Sequence, residues 1–243
     1  DSKYPYKDVI EHIDEQVGRV YDTLHQLNLQ NDTLVVYTSD NGPWLRFDHH
    51  AGQALPLREG KGTTYEGGMR VPCVVWGPGR IQAGIQSDEL ISTIDLLPTL
   101  SALVGVKVKT HGPIDGLDQS ALLLGKGASV RKEFLYYTKH VQALRQGKYK
   151  LRKANKGLEL YDLEADVGEQ NNLAKKEPQK TKEHQRNIRK NQNTKFLKVS
   201  DSPLDMFFVF FVFVVFPKVF TKPNKPSRKP TIQKKTKENQ NKH

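Results

Sequence analysis

The chain has 243 residues and a formal net charge of +11, and its length suits one large domain or two small ones. Its single cysteine, Cys73, excludes an intrachain disulfide framework and any cysteine-cluster metal site. From Lys175 to His243 stand 18 Lys and Arg against 5 Asp and Glu, which leaves 20 basic and 22 acidic residues before them, so the charge belongs to a tail and does not make the whole chain a nucleic-acid binder. The chain opens at Asp1 without Met, charged n-region or apolar leader, which reads as a processed terminus or a segment of a longer protein.

Val9, Ile10, Ile13, Val17, Val20, Tyr21, Leu24 and Leu27 recur at steps of three and four. This spacing predicts an amphipathic helix with Asp8, Glu11, Glu15 and Arg19 on the wet side. Asn31-Asp32-Thr33 is a glycosylation sequon, relevant only in a secreted protein. Thr33 to Thr38 is a nearly continuous apolar, β-branched run, the pattern of a strand covered on both faces as in a parallel sheet. Residues 39–68 form a Gly-rich polar connection of a length that is usually functional or disordered. A second apolar strand, Val71 to Trp76, stops at Gly77-Pro78-Gly79, and Cys73 inside it reads as a small core residue. Ser92-Thr93-Ile94-Asp95 caps a helix bearing Ile94, Leu97, Leu100 and Leu103.

Past Gly125, short strand candidates at 134–137, 141–145, 148–152 and 158–161 alternate with turn signals at Gln146-Gly147 and Asn155-Lys156-Gly157. They predict a small antiparallel sheet. After Ala174, Lys, Gln, Asn, Thr and Pro dominate, the composition of disorder. Within that tail Met206 to Phe216 is an eleven-residue run of Met, Phe and Val. Roughly 20 residues are needed to span a bilayer as a helix, so no membrane span is expected; the run's β-propensity marks it as aggregation-prone.

The residues that carry chemistry lie in the long connection. Asp40-Asn41-Gly42 follows the first strand directly, at the kind of strand end where ligands gather in open α/β sheets. Its carboxylate and amide oxygens are the donors that calcium or magnesium prefers; an Asx turn that merely closes the strand is the plainer alternative. Lys61 stands between Gly60 and Gly62, which leaves its ammonium open to an anion. The P-loop pattern is not matched. Thr63 and Thr64 read as backbone partners and Glu66 as a brace for the loop. His49 and His50 precede Lys61, either as substrate contacts or as a solvent-exposed pair. Arg58 and Arg70 are further cations that can face an anion, though Arg70 before a strand suits a structural bond.

Taken together, Leu34 to Pro43, Gly60 to Pro72, Trp76 to Gly79, Ser92 to Leu100, Asp115 to Asp118 and Leu160 to Leu163 resemble the sulfatase family, of the arylsulfatase A type, within the alkaline phosphatase-like superfamily. The resemblance covers Tyr6 to about Ala174. It implies an α/β fold: the C-terminal portion of an alkaline phosphatase-like sandwich with a mixed central sheet. A small antiparallel C-terminal subdomain and a disordered tail would follow. The corresponding boundaries are 1–125, 126–174 and 175–243. It also implies that Asp40 and Asn41 are calcium ligands, that Lys61 contacts the substrate sulfate, and that the protein is lysosomal or secreted.

One departure is large. The family's nucleophile is a formylglycine made from cysteine in a Cys-x-Pro-x-Arg setting, whereas Cys73 is followed by Val75 and Gly77 at the two defining positions. The first metal-binding Asp pair and the arginine beside the nucleophile also have no counterpart. The expectation is therefore a piece of a sulfuric ester hydrolase acting on aryl or carbohydrate sulfate esters, inactive and poorly soluble by itself. A phosphatase or phosphodiesterase of the same superfamily, or a truncated product with half a site, are the alternatives.

Overall fold

The computed structural model describes residues 3–107, 109–138, 140–193 and 209–215. Helix α1, Pro5–Gln26, begins with Pro in its first turn and carries Asp8 near its start and His25 near its end, each favourable for the helix dipole. Its predicted apolar stripe is not covered. Only Leu24 is buried, while Val9 is 56 %, Ile10 43 % and Tyr21 47 % exposed. Tyr21 finds partial cover against His25 and Trp76, with ring centroids 4.4 Å and 5.4 Å away.

Strand β1, Thr33–Ser39, fully buries Leu34 and Val36. They pack with Val75, Ile81, Leu96, Leu100 and Leu103. Strand β2, Cys73–Trp76, pairs with β1 on one side, Val36 opposite Val75; strand β7, Val209–Val215, pairs on the other, Val36 opposite Val212. Both run antiparallel to β1, so the parallel neighbours that a double-covered run suggested are not among the described strands. An apolar run reports burial of faces and not the direction of the adjacent strand. One further expectation changes here. Cys73, at the start of β2, is exposed and is not a core residue. The Phe/Val run contributes β7, which pairs along all of β1.

The connection from β1 to β2 holds a 3₁₀ turn, Leu45–His50, and the short helix α2, Glu66–Met69. After β2, Ser92 and Asp95 form the expected capping box: Asp95 accepts the Ser92 amide at 3.0 Å. The helix it opens, α3, spans Leu96–Leu103, and α4 spans Ser120–Leu123.

The second sheet is the predicted antiparallel meander: β3 Glu133–Tyr137, β4 Val141–Gln146, β5 Tyr149–Ala154 and β6 Gly157–Asp162, in that order. Leu144, Leu151 and Leu160 stand in register across it and form its core with Val141 and Ile188. Ile188 belongs to α5, Pro178–Asn193. The boundary expected at residue 174 is thus too early, because α5 seals the outer face of this sheet. Its buried stripe is Thr181, His184 and Ile188, of which only Ile188 is apolar, and a composition dominated by Lys, Gln and Asn conceals it.

Candidate functional site

The site grows from the end of β1. The chain turns at Asp40 and Asn41, where Asp40 Oδ1 accepts the Asn41 amide at 2.9 Å and the Ser39 hydroxyl at 3.4 Å. The Asp40 carboxylate is thus held by its immediate neighbours and not by the amide two residues on that an Asx turn would use, since the Gly42 amide bonds to Gly68 O. Asn41 Oδ1, however, is buried and accepts no hydrogen bond among the described residues. An amide oxygen left without a donor costs about 1–3 kcal/mol, and a hard cation would satisfy it. The donor set therefore fits calcium or magnesium. Among the described residues no three or more His, Cys, Asp or Glu side chains gather around one point. An ion of this kind takes roughly six to eight oxygens, so these two residues are part of a shell.

The Lys61 loop is locked to this turn by backbone. The Gly42 amide donates to Gly68 O at 3.1 Å and the Lys61 amide to Pro43 O at 2.9 Å. The approach is close enough to demand glycine: a Cβ on Gly42 would stand 1.7 Å from the Gly67 carbonyl oxygen, and one on Gly60 2.3 Å from that of Pro43. The Lys61 ammonium is buried and lies 4.9 Å from the centroid of the Trp44 ring, within cation–π range. Phe47 meets Trp44 edge-on at 4.9 Å. His49 and His50 close the 3₁₀ turn that carries Phe47, and His50 is exposed.

Arg58 and Arg70 point elsewhere. The Arg58 guanidinium donates to Tyr161 Oη at 3.3 Å and to Glu169 O at 2.8 Å, and stacks on Tyr65 at 4.1 Å. Arg70 lies 4.0 Å from Asp88. Thr63 bonds to the Gly60 carbonyl as expected, whereas Thr64 meets side chains, Gln142 at 3.2 Å and Arg152 at 3.0 Å.

Glu66 is the brace its position suggested. It is buried, accepts Lys150 Nζ at 2.8 Å and Tyr136 Oη at 3.0 Å, and lies 3.7 Å from Arg145. Burial alone would raise its pKa, but the two cations and the phenol outweigh that and hold the carboxyl below its ordinary range. Glu169, on the same Lys150 at 2.9 Å, shifts the other way: burial dominates and pushes it up. Lys150, Arg152 and Glu169 escaped the sequence reading. They sit far in the chain from the Asp40 and Lys61 stretches, and a lysine in an alternating strand ordinarily reads as solvated.

A sulfatase family model matches residues 4–106, and the model for the C-terminal region of N-sulphoglucosamine sulphohydrolase matches residues 60–196. The chain belongs to the sulfatase family. It is 40 % identical to human arylsulfatase A over 168 residues, which is 67 % of this chain and 33 % of that protein. It thus spans about a third of this curated relative's length. Among solved structures, a sulfatase from glycosaminoglycan metabolism in Bacteroides thetaiotaomicron superposes with a TM-score of 0.68 at 27 % identity, covering 76 % of this chain and 44 % of that one. Another, solved with its substrate D-glucosamine-2-N,6-O-disulfate, superposes at 0.60 and 27 % identity over 75 % of this chain and 38 % of the other. Both sulfatase structures confirm the fold class that the resemblance implied. No helix among the described residues is long and apolar enough to cross a membrane.

Proposed function

We propose that these residues form the calcium- and sulfate-binding half of a sulfuric ester hydrolase acting on aryl or carbohydrate sulfate esters. The observation that carries this reading is the buried Asn41 Oδ1, without a hydrogen-bond partner among the described residues, on a turn held beside the Lys61 loop by two backbone hydrogen bonds. Asp40 and Asn41 would hold Ca²⁺, which when bound supplies positive charge against the transferring sulfuryl group. Lys61 brings a second positive charge to the same anion, and it acts strongly because Trp44 shields the ammonium from water. The Trp44–Phe47 pair offers a ring-shaped surface next to the anion, which suits an aromatic or pyranose leaving group. His49 and His50, on the adjoining turn, are assigned to substrate contact.

The nucleophile, a formylglycine, is assigned to sequence outside these 243 residues, because Cys73 has Val75 and Gly77 where the motif needs Pro and Arg. The compartment is proposed as lysosomal or extracellular; the sequon asparagine Asn31 is exposed and able to carry a glycan.

The test joins this chain to a formylglycine-bearing sulfatase segment, with the modification verified by mass spectrometry and calcium present. Hydrolysis of p-nitrophenyl sulfate is expected, with Asp40→Ala and Lys61→Ala each lowering kcat/KM by about 10²–10³. No turnover by the verified, calcium-loaded protein would sink the proposal.

A further inference from the structure

The Lys61 loop is held from behind by the second sheet, and one side chain is central to that hold. Where the loop meets the Asp40–Gly42 turn the contact is backbone on backbone. A Cβ on Gly42 would stand 1.7 Å from the Gly67 carbonyl oxygen. The loop itself is folded as tightly, since a Cβ on Gly67 or Gly68 would stand 2.2 Å and 2.4 Å from the carbonyl oxygens of Glu59 and Thr63. On the opposite side, Lys150 Nζ of β5, fully buried, bridges Glu66 Oε1 of α2 at 2.8 Å and Glu169 Oε1 at 2.9 Å. Glu169 Oε2 in turn accepts the Glu66 amide at 2.6 Å. The ring of contacts is closed: ammonium, two carboxylates and the first peptide of α2. With Arg145 at 3.7 Å the group holds two positive and two negative charges, the balance that lets charges stay buried.

We infer that Lys150 is a positioning residue for the anion-binding loop, acting through Glu66 and α2 on the turn that carries Asp40 and Asn41. The route is short. Glu66 opens α2; the Gly68 carbonyl two residues on accepts the Gly42 amide; and the Lys61 amide bonds to Pro43. Removing the ammonium sets two buried carboxylates against each other, and like charges in one site cannot both remain ionised. Glu66 then loses its fixed position, and the Gly68 carbonyl moves with it. Tyr65, its ring between Arg58 at 4.1 Å and Arg152 at 3.9 Å, holds the preceding peptide but makes no ion pair that replaces Lys150. The consequence for catalysis rests on the proposed function; the geometric claim does not.

Two measurements on the full chain and on its nucleophile-bearing form separate the two claims. In Lys150→Met, peptides covering residues 40–43 and 58–68 should exchange amide hydrogens about tenfold faster, while the β4–β5 ladder keeps its protection. Glu66→Gln, which breaks the same ring without deleting the lysine, should show the same pattern and decides the matter if Lys150→Met loses the ladder as well. Unchanged exchange at 40–43 and 58–68 in both variants overturns the inference. In the active form, Lys150→Met should raise the calcium concentration for half-maximal rate about tenfold, as loss of a group orienting metal ligands does, with most of kcat regained at saturating calcium. A loss of kcat alone, with calcium response unmoved, would mark a merely structural role and overturn it too. A wild-type protein without calcium dependence counts against the proposed function and leaves the exchange result standing.

Discussion

Asp95 shows how a single carboxylate in the motif region works as a structural knot. It caps the turn before α3 by accepting the Ser92 amide at 3.0 Å, and it also accepts the Leu117 amide at 2.8 Å and Arg131 Nε at 2.8 Å. Burial would raise its pKa, yet the Arg131 guanidinium and the two amides outweigh it and hold the carboxyl below its ordinary range. Because the folded pKa is depressed, its stabilisation is present above the unfolded value of about 4 and is lost as pH falls through the folded one. Asp95→Asn leaves Arg131 buried without its counter-charge and is expected to cost about 3–5 kcal/mol at neutral pH. The same variant should flatten the dependence of stability on pH below about 4. Urea unfolding across pH reads both effects, and a neutral-pH loss under about 1 kcal/mol would contradict this account. The Ser92-to-Asp95 cap was legible because it is local in sequence. Arg131, 36 positions downstream, was not, since no spacing rule connects a cap to a partner on another segment. Glu66 and Lys150 repeat the lesson 84 positions apart.

At the scale of elements, α5 is where composition misleads. Ile188 is its one fully buried aliphatic side chain, packed on Val141, Leu144, Leu151 and Leu160. His184 lies beside it with Nδ1 against the Lys180 carbonyl at 3.1 Å, while Nε2 is buried without a partner among the described residues. Ile188→Ala should destabilise the second sheet by about 2–5 kcal/mol, measured as a shift in the unfolding midpoint. His184 adds a pH term. Burial depresses its pKa, with Lys180 and Glu183 on its own helix and the Tyr149 ring facing it from β5. A depressed histidine contributes stability above its unfolded pKa of about 6.5 and loses it as pH falls. The protection factors of α5 amides, which correct for the slower intrinsic exchange at lower pH, should therefore fall between pH 7 and pH 5, and His184→Gln should abolish that fall. An α5 equally protected at both pH values would refute the assignment. The strands of the second sheet, by contrast, were readable nearly to the residue. The turns between β4 and β5 and between β5 and β6 carry a glycine at positive φ, Gly147 at 57° and Gly157 at 121°, and turn chemistry of that kind is local.

For the whole molecule the sequence reading was right about which faces are apolar and silent about what covers them. The α1 stripe follows the helical period, yet Val9 and Ile10 face solvent; so do Val74 on β2 and Leu97 on α3, 58 % and 54 % exposed. Periodicity shows that a face wants cover, and cannot supply the partner. Exposed apolar side chains of this kind, where they cluster, drive association in solution. The β1 edge itself is blunted, because β7 pairs along its full length, so association should proceed through α1 and β2 and not by adding a strand to β1. In sedimentation velocity the wild-type chain is expected to show a coefficient that rises with concentration. Val9→Glu combined with Ile10→Lys should suppress that rise while shifting stability by no more than about 0.5 kcal/mol per site, as exposed substitutions do. A wild-type chain that stays monodisperse over the same range would show that these faces do not self-associate. If the double variant associates as readily as wild type, the contact lies away from α1, and the open flank of β2 becomes the surface to alter next.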